Sequence, residues 1–534
     1  MPGTTVADET FNVLRRFGVD RAFGNPGSTE MHMFAYWPND LDYVLALQEA
    51  SVVAMADGYA QRSGRPGFVN VHTAAGLGNA MGAVVSAARN NTPLVITAGQ
   101  QTRAMLPTDP YLCSPRSTLL PVPYVKWADE PARAADVPAA IARALLTALT
   151  PPRGPVFVSI PEDDWSREPE PVPPHVVVPV LGADPDAIGR FARVLAAAQR
   201  PAIVVGQAAD ASGAAAEIVT LAERLNAGVY EAPQSSRFSF PQRHPLFQGF
   251  LAASRQKVVQ ALEGHDVILV IGAHVFTYHV HTEGPFLPAG AQVLHLTDDP
   301  ALAFSAPVGE SVICSLDEGV RTLTARVSPT NSTPPSRWQR PDPGLMEAPF
   351  QASALTHLLS DLVPDNAVIF EEAPSYRDII RTHLRMKTAG KYHNSFSGGL
   401  GWALPAAVGG SLSDRDSRTV CIAGDGSMMY SIQALWTAAQ HQLPLTVVVY
   451  NNAEYGAMKG FKTLFGIDQF TNVIETALNL PGIDLVAVAQ GMGVAAMRPQ
   501  DPATLSDTLI TALASPAPIL IDVPVAALRG VGPV

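Results

Sequence analysis

The sequence predicts an α/β protein of three open, mostly parallel domains, and three observations carry that prediction. Short apolar runs rich in Val and Ile alternate with Ala- and Leu-rich stretches over the whole 534 residues. The runs are continuous rather than alternating in apolar character, which is how strands covered on both faces read, and such strands belong to parallel sheets. Two proline-rich breaks, 167–186 and 328–344, deny both helix and central strand. They divide the chain into units of about 1–170, 185–327 and 350–534.

The elements follow in order. The opening MPGTTVADETFNVLRRFGVD reads as an amphipathic helix with charges throughout, without the charged-then-apolar order of a secretion signal. Strands of the first unit are expected at YVLAL (43–47), FVNVH (68–72), PLVITAG (93–99) and VFVSIP (156–161). The middle unit shows AIVVGQ (202–207), VILVIGA (267–273) and QVLHLT (292–297). The last shows AVIFEE (367–372), VCIAGDG (420–426), LTVVVYNN (445–452) and ILIDVPV (519–525). No short-period repeat appears, which excludes solenoids and propellers.

Composition narrows the class. Hydrophobic residues make up 47% and charged residues 16%, so several large cores can form and the chain need not be disordered. The net charge of −12 and the lack of a basic stripe argue against a nucleic-acid partner. The apolar runs are of strand length, short of the roughly 20 residues that span a bilayer, so no membrane association is expected. Cys113, Cys314 and Cys421 lie far apart with no CxxC pair, which argues against a disulfide framework or a zinc site. A cytoplasmic protein is the expectation.

The strongest local signal is Gly424-Asp425-Gly426-Ser427 after the strand TVCIA. A helical stretch at 431–440 follows, and the next strand ends in Asn451-Asn452. In a parallel unit both strands end on the same sheet edge, where α/β proteins bind ligands. Asp425 and Asn452 can there supply hard oxygen donors to one Mg²⁺, which usually keeps other positions for phosphate oxygens and water. Gly426 and Ser427 would offer backbone N–H groups to those phosphates. A lone Gly-Asp-Gly is equally an ordinary strand-to-helix turn. With the Asn-Asn pair one strand–helix–strand unit later, the pattern resembles the cofactor motif of thiamine diphosphate-dependent enzymes.

That resemblance extends to the first unit. Glu49 follows the strand YVLAL and opens the helix QEASVVAMADGYAQRSG. A carboxylate there has the position that the superfamily uses to protonate the aminopyrimidine ring of the cofactor, although alone it would read as a helix-start glutamate favoured by the dipole. A closer match comes from FGNPGS (23–28), LALQEA (45–50), VHTAAG (71–76) and GQQTRAM (99–105). Val275-Phe276, Tyr278-His279 and ALWTAAQ (434–440) continue it through the middle and last units. Together they resemble the benzoylformate decarboxylase family, over nearly the full length.

The resemblance implies roles residue by residue. Ser28 would hold the substrate carboxylate, and His72 and His279 would move protons beside Glu49. Asp425 and Asn452 would hold Mg²⁺, or Ca²⁺ as a substitute, with the backbone carbonyl of Glu454 as third protein ligand. Glu454 is an unusual side chain beside a diphosphate and is tolerated there with its carboxylate turned away. Gly426, Ser427 and Tyr455 would contact thiamine diphosphate, Leu400 would wedge it into a bent form, and the carbonyl of Gly398 would accept from its pyrimidine amine. Tyr111, Leu112, Met458 and Phe461 match the substrate pocket, where Tyr111 and Met458 depart from expected leucines. The implied reaction is non-oxidative decarboxylation of an aromatic 2-oxo acid, benzoylformate to benzaldehyde and CO₂, through an ylide and an enamine. The implied assembly is a homodimer or homotetramer with sites between subunits.

Two other readings stay open at this point. One is an acetolactate synthase-like carboligase or a decarboxylase of another 2-oxo acid, against which His72 in HTAAG argues. The other is a flavin- or nicotinamide-binding oxidoreductase on the middle unit, which shows no GxGxxG after a strand.

Overall fold

The computed structural model describes residues 4–330, 332–467 and 476–528. Three six-stranded sheets carry the molecule, and every strand pair among the described residues is parallel. The first sheet contains β1 (Arg21–Asn25), β2 (Asp42–Leu45), β3 (Gly67–Val71), β4 (Leu94–Gln100), β5 (Ala128–Asp129) and β6 (Val156–Pro161). The second contains β7 (Pro201–Val205), β8 (Gly228–Glu231), β9 (Phe247–Phe250), β10 (Val267–Ile271), β11 (Gln292–Thr297) and β12 (Glu310–Ile313). The third contains β13 (Val368–Glu372), β14 (Tyr392–Asn394), β15 (Thr419–Gly424), β16 (Leu445–Asn451), β17 (Ala495–Met497) and β18 (Ile519–Pro524).

Each apolar run named above holds one of these strands. The central ones are buried at every position, β3, β4, β7 and β10 among them. Full burial explains why their sequences do not alternate: helices cover both faces, so no position faces water. The first helix, Val6–Arg16, is capped by Thr5 and Asp8 and buries Val6, Phe11, Val13 and Leu14 on one face. Among the described residues, 168–184, 328–330 and 332–349 carry no helix or strand.

The order of the first sheet is β2-β1-β3-β4-β6-β5 and that of the third is β14-β13-β15-β16-β18-β17. Counted within each sheet these are one topology. The middle sheet runs β12-β11-β10-β7-β8-β9, the doubly wound order with its switch point between β7 and β10. The turn after β7 reads Gly206-Gln207-Ala208, without the glycine fingerprint of dinucleotide-binding turns.

The outer sheets share a core. One cluster joins Phe23, Val53 and Val84 of the first sheet and its helices to Ala406, Val447 and Leu520 of the third. Its centre is the crossing of helices Glu49–Ser63 and Ala403–Ser413. Glycines permit the close approach: a Cβ at Gly58 would overlap the Ala406 carbonyl, and one at Gly409 the Met55 carbonyl. The buried carboxyl of Asp57 fastens the crossing, accepting from Trp402 Nε1 at 2.7 Å, Thr92 Oγ1 at 2.6 Å and Gln61 Nε2 at 2.7 Å.

Candidate active site

Two groups of the expected residues lie on two sheet edges. On the first sheet, register places the ends of β1, β2 and β3 side by side, with Gly24 opposite Leu45 and Asn25 opposite Val71. Ser28, Glu49 and His72 follow those three strand ends. Ser28 is exposed at the start of the short 3₁₀ helix Ser28–Glu30. Glu49 is half-buried at the start of its helix and accepts from Asn79 Nδ2 at 3.2 Å. His72 precedes the helix Thr73–Arg89.

His72 does not stand alone. Its Nδ1 lies 3.1 Å from Glu30 Oε2 and 3.0 Å from Thr29 Oγ1. Glu30 is buried and also accepts from the backbone N–H of Gly27 at 2.7 Å and of Gly99 at 3.1 Å, and from Thr29 Oγ1 at 2.9 Å. With both carboxylate oxygens accepting, the bond to the ring is donated by Nδ1–H, which leaves the lone pair of the neutral ring on Nε2. Sequence reasoning missed Glu30. A glutamate three residues after a turn glycine was a visible signal for a side chain folding back on that turn.

On the third sheet, Gly424 pairs with Tyr450, so Asp425 and Asn452 emerge together from β15 and β16. Asp425 opens a short helix with Gly426 and Ser427 buried behind it. Its carboxyl is pushed up to about 6, first by burial, then by the nearby charge of Asp522, against backbone N–H groups of Gly426 and Ala453. Among the described residues no lysine, arginine or histidine forms an ion pair with it. The carbonyl, amide and carboxylate oxygens here are hard donors of the kind that Mg²⁺ and Ca²⁺ take. Asn452 Oδ1 accepts from the Glu454 N–H at 3.2 Å, closing the turn that carries Glu454 and Tyr455. Behind the turn, Arg498 Nε and Asn451 Nδ2 each bind the buried carboxylate of Asp522 at 2.8 Å. Gly426 is needed for close approach, since a Cβ there would come within 2.6 Å of the Tyr455 ring.

A cavity of about 670 Å³ opens beside this edge. Asp425, Gly426, Ser427, Asn452, Glu454 and Tyr455 line it, as do Gly398 and Leu400. Gly398 has φ +72, the left-handed turn that exposes the backbone of its loop. The buried Glu372 pins this loop, accepting from the N–H groups of Gly401 at 2.5 Å, Trp402 at 2.6 Å and Ala403 at 2.8 Å. Burial pushes its carboxyl up to about 7. Sequence reading found no role for Glu372, which ends β13 as one of two adjacent glutamates.

The middle and third domains also bring His279, Met458 and Phe461 to the cavity. The His279 ring meets Phe461 edge-on with centroids 4.7 Å apart, and the backbone N–H of His279 donates to the Ala253 carbonyl at 2.8 Å. His274 stacks on Phe396, and exposed His281 contacts Glu283, so neither joins His279. Ser28, Glu49, His72, Tyr111 and Leu112 are not among the lining residues. Tyr111 is 86% exposed, and Leu112 sits at φ +65 in the segment after β4. Within one chain, the two groups of candidate residues remain separate.

Known proteins match the chain over all three domains. Residues 4–113 match the N-terminal TPP binding domain of thiamine pyrophosphate enzymes, 188–323 their central domain, and 375–523 their C-terminal TPP binding domain. A benzoylformate decarboxylase of Pseudomonas aeruginosa is 39% identical over 97% of this chain and 98% of its own length. The crystal structure of benzoylformate decarboxylase from Polynucleobacter necessarius superposes with a TM-score of 0.95 at 38% identity, covering 98% of this chain and 99% of that one. A thiamine diphosphate-dependent 4-hydroxybenzoylformate decarboxylase of Rhodococcus jostii RHA1 does so with 0.93 at 38% identity and the same coverage. The two sheet edges are therefore those of a known architecture, and the chain belongs to the benzoylformate decarboxylase family of thiamine pyrophosphate enzymes.

Proposed function

We propose that this carboxy-lyase decarboxylates an aromatic 2-oxo acid, with benzoylformate as the first candidate and benzaldehyde and CO₂ as products. The observation that carries the reading is the cavity itself, where oxygen donors, the buried Asp425 among them, and an aromatic wall meet at one sheet edge. Asp425, Asn452 and the Glu454 carbonyl would hold Mg²⁺, for which Ca²⁺ can stand in. Gly426, Ser427 and Tyr455 would hold the diphosphate, Leu400 and the Gly398 carbonyl the rings of the cofactor. When bound, thiamine diphosphate supplies a carbon nucleophile and an electron sink for the electrons that leave with CO₂. The chain's own residues would do the rest. Glu49 would hold a proton toward the aminopyrimidine, Ser28 would orient the substrate carboxylate, and His72 and His279 would hold and deliver protons near neutral pH. Glu30 keeps His72 in one tautomer. Met458 and Phe461, with Tyr111 and Leu112, enclose the substrate ring.

The separation of the two residue groups supports an assembly. The first-domain half of each site would come from a second copy, giving a homodimer or a pair of dimers with sites between subunits. A cytoplasmic location fits three unpaired cysteines and the lack, among the described residues, of any helix long and apolar enough to cross a membrane. The domain limits 1–170, 185–327 and 350–534 are kept as working boundaries, each unit enclosing one six-stranded sheet.

The test is benzaldehyde release from benzoylformate with and without thiamine diphosphate and Mg²⁺, beside a Glu49→Gln control. Cofactor-dependent turnover that collapses in the control is expected. Cofactor binding without turnover would move the substrate to another 2-oxo acid, and absence of cofactor binding would contradict the reading.

A further inference from the structure

Glu454 places a carboxylate next to the proposed cation and diphosphate site, and the structure shows what it does there. The side chain is largely out of water, 11% exposed, and its Oε2 pairs with Lys459 Nζ. Lys459, itself 27% exposed, also donates to Asn479 Oδ1 at 2.8 Å. The same turn is clamped by backbone. Tyr455 N–H binds the Leu478 carbonyl and Leu480 N–H the Ala453 carbonyl, each at 2.8 Å, and Glu454 bridges Asn479 in antiparallel fashion. The second oxygen remains close to the site. A Cβ built on Gly456 would lie 3.4 Å from Glu454 Oε1 and 2.9 Å from Asn452 Nδ2. The carboxylate therefore stands beside Asn452, and its ion pair is with a lysine from the helix Gly456–Leu464.

A carboxylate without that lysine would compete with a diphosphate for a divalent cation and would repel the diphosphate, in a setting where burial strengthens both effects. We propose that Lys459 is a positioning residue for the cofactor turn, neutralising the Glu454 carboxylate and holding it away from the cation and diphosphate. The proposal rests on the thiamine diphosphate and Mg²⁺ reading of this edge. It also gives the helix a second task, because Met458 and Phe461 of the cavity wall flank Lys459 on the same element. The ion pair ties the wall to the cofactor turn.

The experiment is a binding cycle on the cofactor-free full-length protein. Thiamine diphosphate affinity at fixed Mg²⁺ is read from quenching of intrinsic fluorescence or by calorimetry, without turnover. Lys459→Met should weaken binding by about tenfold, within the range seen when partners of metal ligands are removed. On a Glu454→Gln background the same substitution should change binding by less than about twofold, because the charge it guards is gone. Lys459→Arg should keep wild-type affinity. An unchanged affinity in Lys459→Met would overturn the proposal, and so would a tenfold loss that persists on the Glu454→Gln background, since the lysine would then act on the diphosphate directly. If Lys459→Met does not fold, the double variant still decides, as it leaves neither charge unpaired. Failure of the wild type to bind thiamine diphosphate at all would be a different result, against the cofactor reading itself.

Discussion

The first and third sheets share one strand order and are joined by one core, yet their edges carry opposite chemistry. Position by position, His72 follows β3 where Asp425 follows β15, and Gln101 follows β4 where Asn452 follows β16. The first edge presents proton-handling groups, partly open to water, with Glu30 and Thr29 as the supporting partners of His72. The third presents hard oxygen donors, the buried carboxyl of Asp425 and the half-buried Asn452, with Lys459 paired to Glu454 beside them. One topology thus offers the same sites twice, and only the residues just past the strand ends decide what each site does. The middle sheet sharpens the lesson: it has the doubly wound order that elsewhere binds dinucleotides, but lacks the glycines that bring a backbone against pyrophosphate.

The largest expected difference between the two edges appears on removing one carboxylate from each. Asp425→Ala should abolish binding of thiamine diphosphate with Mg²⁺, measured by calorimetry, and activity with it. Glu49→Gln should keep cofactor binding within a few-fold while turnover falls by about 10²–10⁴, the range for a lost acid–base group. If both variants lost binding equally, the division of labour would be wrong. The joint between the sheets comes next. Gly409→Val drives a side chain into the Met55 carbonyl, which is backbone and cannot rotate away. The expected result is a marked fall in melting temperature or insoluble protein, whereas Gly82→Ala, with open space around its Cβ, should melt as the wild type does.

A smaller effect is expected behind His72. Glu30→Gln should lower turnover by about 10- to 100-fold with the cofactor affinity unchanged, as when a partner that orients a functional histidine is lost. The smallest concerns Asp298, which follows β11 and is pushed up to about 6 by burial, much as Asp425 is. A raised carboxyl binds more protons folded than unfolded between its ordinary value near 4 and its folded value near 6, so stability falls as pH rises through that window. Asp298→Asn should therefore raise the melting temperature more at pH 7.5 than at pH 5. Equal gains at both would show that Asp298 titrates normally.

Legibility in the sequence tracked burial. Strands such as β4 and β16 were visible because seven and six consecutive buried residues, respectively, leave a mostly apolar run. The short strands β5, β14 and β17 were invisible, being two or three residues long with polar or small residues among them. The helix expected at 431–440 begins at Ala434, because Tyr430 to Gln433 form turns first. Membership of the thiamine pyrophosphate enzymes and the aromatic 2-oxo acid class were readable from motifs on all three domains. Glu30, Glu372 and Lys459 were not, since each lies outside any motif or touches a partner distant in sequence. A supporting residue is defined by what it touches, and sequence spacing does not record touch.

The claim that the two edges meet only between copies is tested most directly by complementation. Glu49→Gln and Asp425→Ala chains, each inactive alone, are co-expressed with different tags and the hybrid is isolated. If a site takes Glu49 from one copy and Asp425 from the other, one site of each hybrid dimer is intact, and about half of wild-type activity per dimer should return. A hybrid as inactive as its parents would place both edges of each site within a single chain and contradict the account.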